Sequence, residues 1–445
     1  MAGNESWEST TIGDLLRRDG GSIKTGPFGT ILKAKEYSNI GVPLISVGEV
    51  RSGSLRVQKS TPKVPRKVVD RLPEYVLEEG DIVFGRKGSV DRSAFVKAEQ
   101  AGWFLGSDGI RLRPPKTCNA LFVAYHFQSP ATKSWLIQHS TGTTMASLNQ
   151  GTIERVPILL PPLREQLAIS HILGTIDDKI ELNRRMNETL EAMVRAIFKS
   201  WFIDFDPVRA KMAGRPTGLS PEIEELFPDG MVDSELGEIP RGWKVCPFSG
   251  IVRIIGGGTP KTSVQEYWNG EIPWFSVADA PSEGEFFVIN TEKRITQKGF
   301  ESSAACLIKE GATIISARGT VGKLALVGVP MAINQSCYGL YGVEAGSAFI
   351  YCATHSLVSV LKQRSHGSVF NTITRDTLSC INYIAPTKIA LDSFERVVDP
   401  FMKRIKNNLF ESCTLSDLRD MLLPKLISGK LRILNARRYT PGNKA

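Results

Sequence analysis

Short runs of alternating apolar and polar residues fill the first part of the chain, and turn-forming residues separate them about every ten positions. This alternation predicts strands, so we expect a mixed, strand-rich α/β module over residues 1–160. Within it, the apolar runs 82–84 and 94–96 flank Arg86 and Lys87. Two such runs around a short polar segment predict a β-hairpin, here with a basic tip.

The chain also repeats itself at an offset of about 230 residues. Three pairs of segments match in the same order along the sequence: 42–50 with 272–280, 80–96 with 311–327, and 142–162 with 367–387. The second pair reads GDIVFGRKGSVDRSAFV and GATIISARGTVGKLALV, which predicts another hairpin with Arg318 at its tip. Two copies of one module indicate two similar surfaces that meet two similar targets.

After each module the apolar spacing changes from alternating to helical. The period-seven seam positions are Ile169, Ile176, Asn183, Leu190 and Ile197 in the first copy, and Phe394, Phe401, Asn408, Leu415 and Leu422 in the second. Ile172, Met186 and Met193 are expected to fill intermediate positions of a two-helix coiled coil. In that seam Asn183 and Asn408 either fix the register or face solvent.

Both helical segments are expected to break at one equivalent point. Gly174 and Thr175 mark it in the first copy, and Asp399 and Pro400 mark it in the second, where Asp can cap and Pro can open a new helix. A helix opened by Pro400 would run about 36 Å before the next proline, close to the roughly 34 Å of one turn of DNA.

The stretch between the two halves is rich in proline, glycine and charge. Residues 204–243 are therefore expected to form a partly ordered connector. The Asp206–Pro207 pair within it is expected to end the preceding helix, because proline disfavours a helical residue before it.

The composition narrows the class of protein. With 445 residues and 42% hydrophobic content, the chain suits about three or four compact units. A net charge of +9 and a pI of about 9.1 favour a polyanionic partner. The seven cysteines form no CxxC pair, the N-terminus is polar, and long apolar stretches are missing, so we expect a cytoplasmic protein without a membrane span.

Enzyme signatures are missing from the sequence. It contains no HExxH, GxSxG or CxxC, and its five histidines lack ligand spacing, so we predict no catalytic residues and no metal site. GGGTPKT has Pro260 where a phosphate loop needs glycine, and we expect a turn beside a basic surface instead. Asp81 and Lys87 would suit a nuclease cluster, but the repeat has Ala312 at the place of Asp81.

Several segments together carry a family resemblance. They are KTGPFGTILKAKEY, GDIVFGRKGSVDRSAFV, SWFIDFDPVRAK, GGTPKTSVQEYWNGEIPWFS and LRDMLLPKLISGKL. Combined with two strand-rich modules that each precede a helical segment, they make the chain resemble the specificity subunit of a type I restriction-modification system over nearly its whole length.

The resemblance implies a fold and a division into domains. Two similar target recognition domains would be separated and joined by two long helices, which would form an antiparallel coiled coil with pseudo-two-fold symmetry. The expected segments are target recognition domain 1 (1–160), helical spacer 1 (161–203), a connector (204–240), target recognition domain 2 (241–385), helical spacer 2 (386–430) and a tail (431–445).

The resemblance also implies a prokaryotic source and a role in host defence. The chain would read a bipartite, asymmetric target in double-stranded DNA and dock two methyltransferase (modification) subunits and restriction subunits, without being an enzyme itself. It would hold no cofactor, and S-adenosylmethionine, ATP and Mg²⁺ would bind to the partner subunits. Two alternatives stay open: a stand-alone DNA-modifying enzyme, and an adaptor whose twin modules bind protein.

Arginine, lysine, asparagine and glutamine supply most contacts to phosphates and base edges. The DNA-binding candidates are Lys24, Lys33, Lys35, Arg86, Lys87 and Arg92 in the first module, and Lys261, Gln265, Arg318, Lys323, Asn334, Gln335 and Arg375 in the second. We align Asn334 and Gln335 with Ser107 and Asp108, a difference that would suit two modules reading different bases.

Overall fold

A computed structural model describes residues 7–142, 145–282, 285–364 and 372–433. The chain separates into two compact units, and each is described by itself. The first unit comprises residues 1–179 and 414–445, and the second comprises residues 180–413. Both mix helices and strands, which confirms the predicted mixed α/β class. In the part of the chain that the structure describes, every helix is too short or too polar to span a bilayer.

The first unit begins with a strand-rich module. Its strands are β1 (Glu8–Thr11), β2 (Ser22–Thr25), β3 (Val42–Ile45), β4 (Lys63–Val64), β5 (Ile82–Gly85), β6 (Ser93–Phe95), β7 (Phe104–Leu105), β8 (Gly109–Arg113) and β9 (Pro157–Leu160). Its helices are α1 (Ile12–Asp19), α2 (Arg66–Arg71), α3 (Ala120–Gln128), α4 (Pro130–His139), α5 (Gln150–Glu154) and the start of α6 (Leu163–Phe202).

A four-stranded antiparallel sheet in the order β2-β8-β5-β6 forms the centre of this module. Successive side chains of a strand point to opposite faces. Ile82 and Phe84 accordingly pack into the core beneath α1 and α3, whereas Val83 packs into a second core against β3, β4 and β7. The sheet therefore has one face covered by helices and the other by a small three-stranded sheet.

The second unit contains the rest of α6, the connector and the other module. Its strands are β10 (Met231–Ser234), β11 (Gly237–Pro240), β12 (Lys244–Pro247), β13 (Val252–Gly256), β14 (Trp268–Phe275), β15 (Phe287–Val288), β16 (Lys293–Ile295), β17 (Leu307–Ile308), β18 (Thr313–Ser316), β19 (Leu324–Val327), β20 (Met331–Ile333), β21 (Cys337–Gly342) and β22 (Asn382–Ala385). Its helices are α7 (Asp206–Met212), α8 (Pro221–Glu224), α9 (Phe248–Ile251), α10 (Gln297–Glu301), α11 (Ser347–Arg364), α12 (Arg375–Ser379) and most of α13 (Lys388–Ile427).

The repeat predicted from the sequence is confirmed by the topology. The second module has a sheet in the order β13-β21-β18-β19-β15, whose first four strands follow the order and directions of β2-β8-β5-β6. The parallel pair β3 and β7 recurs as β14 and β20, and the antiparallel pair β1 and β9 recurs as β12 and β22. Both predicted hairpins are present, as β5 with β6 and as β18 with β19.

The two long helices are continuous, so the predicted breaks are wrong. Each has 40 residues, or about 60 Å, and α6 runs through Gly174 and Thr175 while α13 runs through Pro400 and Pro424. Pro400 lies on the exposed side of α13, next to the buried Val398 and Met402 on its other face. Burial of that apolar face outweighs the one main-chain hydrogen bond that a proline removes.

The connector also differs from its prediction at one point. Helix α6 ends at Phe202, and Phe205 takes a left-handed conformation with φ of 56°. Asp206 and Pro207 then open α7 rather than closing the helix before it. A proline near the first position of a helix loses only an N–H group that has no partner within the helix.

The helix seams follow spacings of four and three residues. Seven-residue seam positions are at least half-buried, from Ile169 to Ile197 and from Phe394 to Leu422. The intermediate positions stand four residues on, at Leu173, Asn187 and Val194 in α6 and at Val398 and Ile405 in α13, all of them buried. Of the predicted intermediate residues, Ile172 is partly buried against a core of the first unit and Met186 is partly buried. The prediction is wrong for Met193, which is 43% exposed.

Asn183 and Asn408 lie in a polar layer of the second unit, 0% and 2% exposed. Asn183 Nδ2 donates to Glu411 Oε2 at 2.9 Å and Asn408 Nδ2 donates to Asn187 Oδ1 at 2.8 Å, while Asn187 Nδ2 donates to the Ile405 carbonyl at 3.2 Å. Residue numbers rise along one helix as they fall along the other, so these segments of α6 and α13 are antiparallel. The solvent-facing alternative for both asparagines is thereby excluded.

Candidate nucleic-acid interface

The first hairpin ends in a tip whose backbone is fixed from two sides. Arg86 N donates to the Asp108 carbonyl at 2.8 Å, and Leu148 N donates to the Arg86 carbonyl at 2.8 Å. Lys87 pairs with Ser147 in an isolated antiparallel bridge. The tip is therefore held between the turn that precedes β8 and the segment that precedes α5.

The side chains at this tip are basic, polar and aromatic. The Arg86 guanidinium carbon lies 5.2 Å from the ring centre of Phe28, and Lys87 Nζ lies 3.4 Å from an Asp108 carboxylate oxygen. We call Phe28, Arg86, Lys87, Asp108 and Ser147 the first tip cluster. Arg92, which immediately precedes β6, is exposed on the same hairpin.

The second hairpin repeats this backbone with other side chains. Ala317 N donates to the Ser336 carbonyl at 2.7 Å, Ile373 N donates to the Ala317 carbonyl at 2.8 Å, and Arg318 bridges to Thr372. The glycine after each central basic residue takes a positive φ, 74° at residue 88 and 75° at residue 319. The second tip cluster, in the same order as the first, is Thr259, Ala317, Arg318, Ser336 and Thr372.

Lys87 and Arg318 therefore occupy matched positions at the two tips. Both are exposed, and so is Lys323, which matches Arg92. The position of Arg86 is taken by the buried Ala317. One module thus presents two cations at its tip, where the other presents a single guanidinium with five fixed donors.

The backbone corrects our alignment of the turn before β21 by one residue. Gly106 N donates to the Ile45 carbonyl at 2.7 Å, and Asn334 N donates to the Phe275 carbonyl at 3.0 Å. Asn334 thus matches Gly106, and Gln335 matches Ser107. Asn334 Oδ1 accepts the Ser336 amide at 3.0 Å and so orders its own loop, whereas Gln335 Oε1 accepts the Thr259 hydroxyl and ties this turn to the loop after β13.

Three candidates of the first module lie apart from the tip contacts. Lys24 Nζ lies 3.8 Å from a Glu74 carboxylate oxygen and 4.7 Å from the Tyr75 ring centre, so an ion pair within the module engages it. Lys33 and Lys35 are exposed at a short turn that Arg71 holds through Glu36.

The candidates after β13 are exposed along a loop. Lys261 and Gln265 both face solvent there. Gly258 N donates to the Ile333 carbonyl at 2.9 Å, so this amide is used within the fold, and Val264 N donates to the Lys261 carbonyl at 3.2 Å and closes a turn. This agrees with the predicted turn in GGGTPKT.

Charge-based reasoning missed Gln150, the counterpart of Arg375. Each is the first residue of a short helix, α5 or α12, and follows a side chain that caps that helix. Gln150 Nε2 donates to Thr25 Oγ1 at 3.0 Å, and the Arg375 guanidinium lies beside Gly256, so both reach the end of an equivalent strand. The sequence repeat already aligned these two positions, and that signal could have identified Gln150.

Asp81 has a structural role rather than the nuclease role considered for it. It is buried, and Arg113 donates to both of its carboxylate oxygens, Nε to Oδ1 at 2.7 Å and Nη2 to Oδ2 at 2.9 Å. The carboxylate also accepts the Glu78 amide at 2.8 Å. These bonds raise the pKa of the Arg113 guanidinium above its ordinary value and secure the start of β5.

The chain belongs to the family described as type I restriction modification DNA specificity domain, whose profile matches residues 4–192 and 240–390. The two matched regions each contain one hairpin tip. More than half of the chain is covered.

Characterised relatives carry the same description. The chain is 27% identical over 339 residues to the type I restriction enzyme HindI specificity subunit of Haemophilus influenzae, covering 66% of this chain and 73% of that protein. It is 24% identical over 444 residues to the MjaIX specificity subunit of Methanocaldococcus jannaschii, covering 96% and 94%. The crystal structure of the S subunit from M. genitalium superposes with a TM-score of 0.55 at 15% identity, covering 96% and 98%, and this shows a shared fold.

Proposed function

We propose that the chain is the DNA sequence-specificity subunit of a type I restriction-modification complex, reading a bipartite, asymmetric target in double-stranded DNA. One observation carries the proposal: two hairpin tips share a backbone and differ in side chains. When the two modules are aligned, Lys87 corresponds to Arg318, Arg86 corresponds to Ala317, and Gln150 corresponds to Arg375. Equal scaffolds with unequal donors are what a protein needs to read two different half-sites.

The chemistry of these side chains supports base reading. Arginine donates two hydrogen bonds to O6 and N7 of guanine, and glutamine pairs with N6 and N7 of adenine. Lysine at a matched position supplies a point charge to phosphate. The overall charge of +9 favours the same polyanionic partner.

The partners follow from the same proposal. Two modification subunits would dock on the chain, with restriction subunits joining them, and S-adenosylmethionine, ATP and Mg²⁺ would bind to those partners. The chain itself would contribute recognition and no catalysis. Residues 1–160 and 241–385 would each act as one target recognition domain.

Co-expression with the cognate modification subunit tests the proposal. We expect genome-wide mapping of methylated adenine to give one motif with two different halves and an unread gap. The control is the modification subunit alone, for which this motif should be absent. A continuous motif, or methylation that does not depend on this chain, would contradict the proposal. Modification of DNA by the purified chain alone would favour a stand-alone enzyme, and the lack of salt-sensitive DNA binding would favour a protein-binding adaptor.

A further inference from the structure

A half-exposed phenylalanine lies within the first tip cluster. Phe28 is 52% exposed, although its neighbours Pro27 and Leu32 are buried. Its ring lies beside the cationic Arg86, and Arg86 is on the hairpin that also carries Lys87. An apolar ring kept in water among cations indicates a partner that is anionic and has an apolar feature at this point.

The turn that carries Phe28 is rigid. Gly26 N donates to the Gly109 carbonyl at 3.0 Å, and Leu32 N donates to the Phe28 carbonyl at 3.0 Å, with Leu32 anchored in the core. Any side chain at Gly26 would meet the Gly106 carbonyl oxygen, 1.7 Å from an ideal Cβ. The ring is therefore preorganised, and binding would cost little ordering entropy.

Arg86 and Phe28 form one composite surface. The guanidinium covers a face of the ring at 5.2 Å from its centre, and its Nη1 lies 3.4 Å from the Ser107 carbonyl oxygen. That bond uses a single donor and leaves others for a ligand. Phe28 lies three residues after β2, and Thr259 lies at the equivalent position, three residues after β13. The second module therefore lacks this surface, because it has Thr259 in place of the ring and Ala317 in place of the guanidinium.

We propose that Phe28 is a specificity-determining residue that packs against the 5-methyl group of a thymine, next to a guanine bound by Arg86, in the half-site read by the first module. The inference rests on the proposed function. Among the base edges in the major groove, the thymine methyl is the apolar feature, and phenylalanine is one of the side chains that contacts it. Arginine in bidentate contact with guanine is the most common specific pairing, so the pair would select a T·A pair beside a G·C pair.

Deoxyuridine substitution tests the contact, because it removes the methyl group alone. The chain with its modification subunits is titrated with its mapped target and with duplexes in which each thymine of the first half is replaced in turn. We expect one position to weaken binding about four-fold, the change that corresponds to burying one methyl-sized group. Phe28→Ala should bind the unmodified target at least four-fold more weakly and show no further loss with deoxyuridine at that position.

Two controls separate this contact from a folding effect. Phe28→Leu keeps an apolar side chain and should retain most of the deoxyuridine effect. Ile137→Ala removes a similarly exposed apolar side chain from α4 and should leave the deoxyuridine effect unchanged. The inference is overturned if no deoxyuridine position weakens the wild type, if Phe28→Ala responds like the wild type, or if the first half-site has no T·A pair beside a G·C pair. Failure of the complex to bind any bipartite DNA would instead overturn the proposed function, and this inference with it.

Discussion

Single residues decide what the two tips present, while the backbone stays the same. The sequence predicted that Lys87 and Arg318 lie at hairpin tips, and the structure places both of them there. It missed Phe28 and Gln150, since an exposed aromatic ring and a neutral amide resemble ordinary surface residues in one dimension. Asp81 could equally have been a nuclease carboxylate until its two bonds to Arg113 were seen.

Arg318→Ala is expected to weaken DNA binding by about 1–3 kcal/mol and to relax the choice of base at one position, because a bidentate arginine contact would be lost. Affinity for the mapped target and for its single-base variants, measured over a salt series, checks this. If Arg318 contacted a phosphate instead, its loss would reduce the salt dependence of binding without changing the preferred base. Lys309→Ala is the matched control, since Lys309 is exposed near the opposite end of β18.

Glu191→Gln is expected to stabilise the second unit increasingly as pH rises. Glu191 is buried in α6 and its Oε1 accepts the Phe286 amide at 3.0 Å, and burial raises the pKa of this carboxyl to about 8. A raised folded pKa means that the folded state holds a proton which the unfolded state releases. The stability that the protonated Glu191 carboxyl gives the wild type is therefore fully present below about pH 4.5 and is lost as pH rises through about 8.

Glutamine keeps an oxygen for the Phe286 amide and carries no charge. The urea midpoints of wild type and variant should be similar at pH 5 and should diverge in favour of the variant at pH 9. The exposed Glu188→Gln on the same helix serves as the control and should show a smaller change. Equal midpoints for wild type and Glu191→Gln at pH 9 would show that burial does not penalise this carboxylate.

Among the elements, the long helices show what a sequence pattern can and cannot determine. The seven-residue period placed Ile169, Asn183 and Asn408 correctly at half-buried or buried positions. It did not decide between a second seam residue three or four positions later, because that choice depends on how the facing helix packs. Local proline rules predicted a break at Pro400, and long-range burial outweighed them.

The polar layer within these helices can be tested with a double-mutant cycle. Asn408→Leu leaves Asn187 Oδ1 buried without its donor, and Asn187→Leu leaves Asn408 Nδ2 buried without its acceptor, so each should cost about 1–3 kcal/mol. The double variant should cost less than the two single costs added together, because no unpaired amide remains between those positions. Shifts of the urea midpoint measure all three, and strict additivity would show that the bond contributes nothing.

At the scale of the whole molecule, the internal repeat was the part best predicted from the sequence. Matching segments in the same order required matching strands, and the sheet orders of the two modules agree. Loop lengths differ between the copies, which is why the turn before β21 was aligned one residue off. Only the main-chain hydrogen bonds of Gly106 and Asn334 revealed the true correspondence.

Exchange of residues 1–160 for the equivalent segment of another specificity subunit is expected to change one half of the methylated motif only. The reason is that each module has its own cores and its own tip cluster. Mapping of methylated adenine in cells that carry the chimaera provides the readout. The reciprocal exchange of 241–385 should alter the other half, and a chimaera that changed both halves at once would contradict independent reading.

The matched main-chain bonds of the two tips have an evolutionary consequence. Arg86, Lys87, Gln150, Arg318 and Arg375 lie on turns or helix starts that main-chain bonds hold, so we expect their side chains to mutate with little effect on folding. Ala317 is buried, and a larger side chain there would disturb the core. If these side chains read the target as proposed, new target preferences arise by point substitution, without exchange of whole segments. Among chains of this family that read different targets, we expect substitutions to be most frequent at these five exposed or half-buried positions.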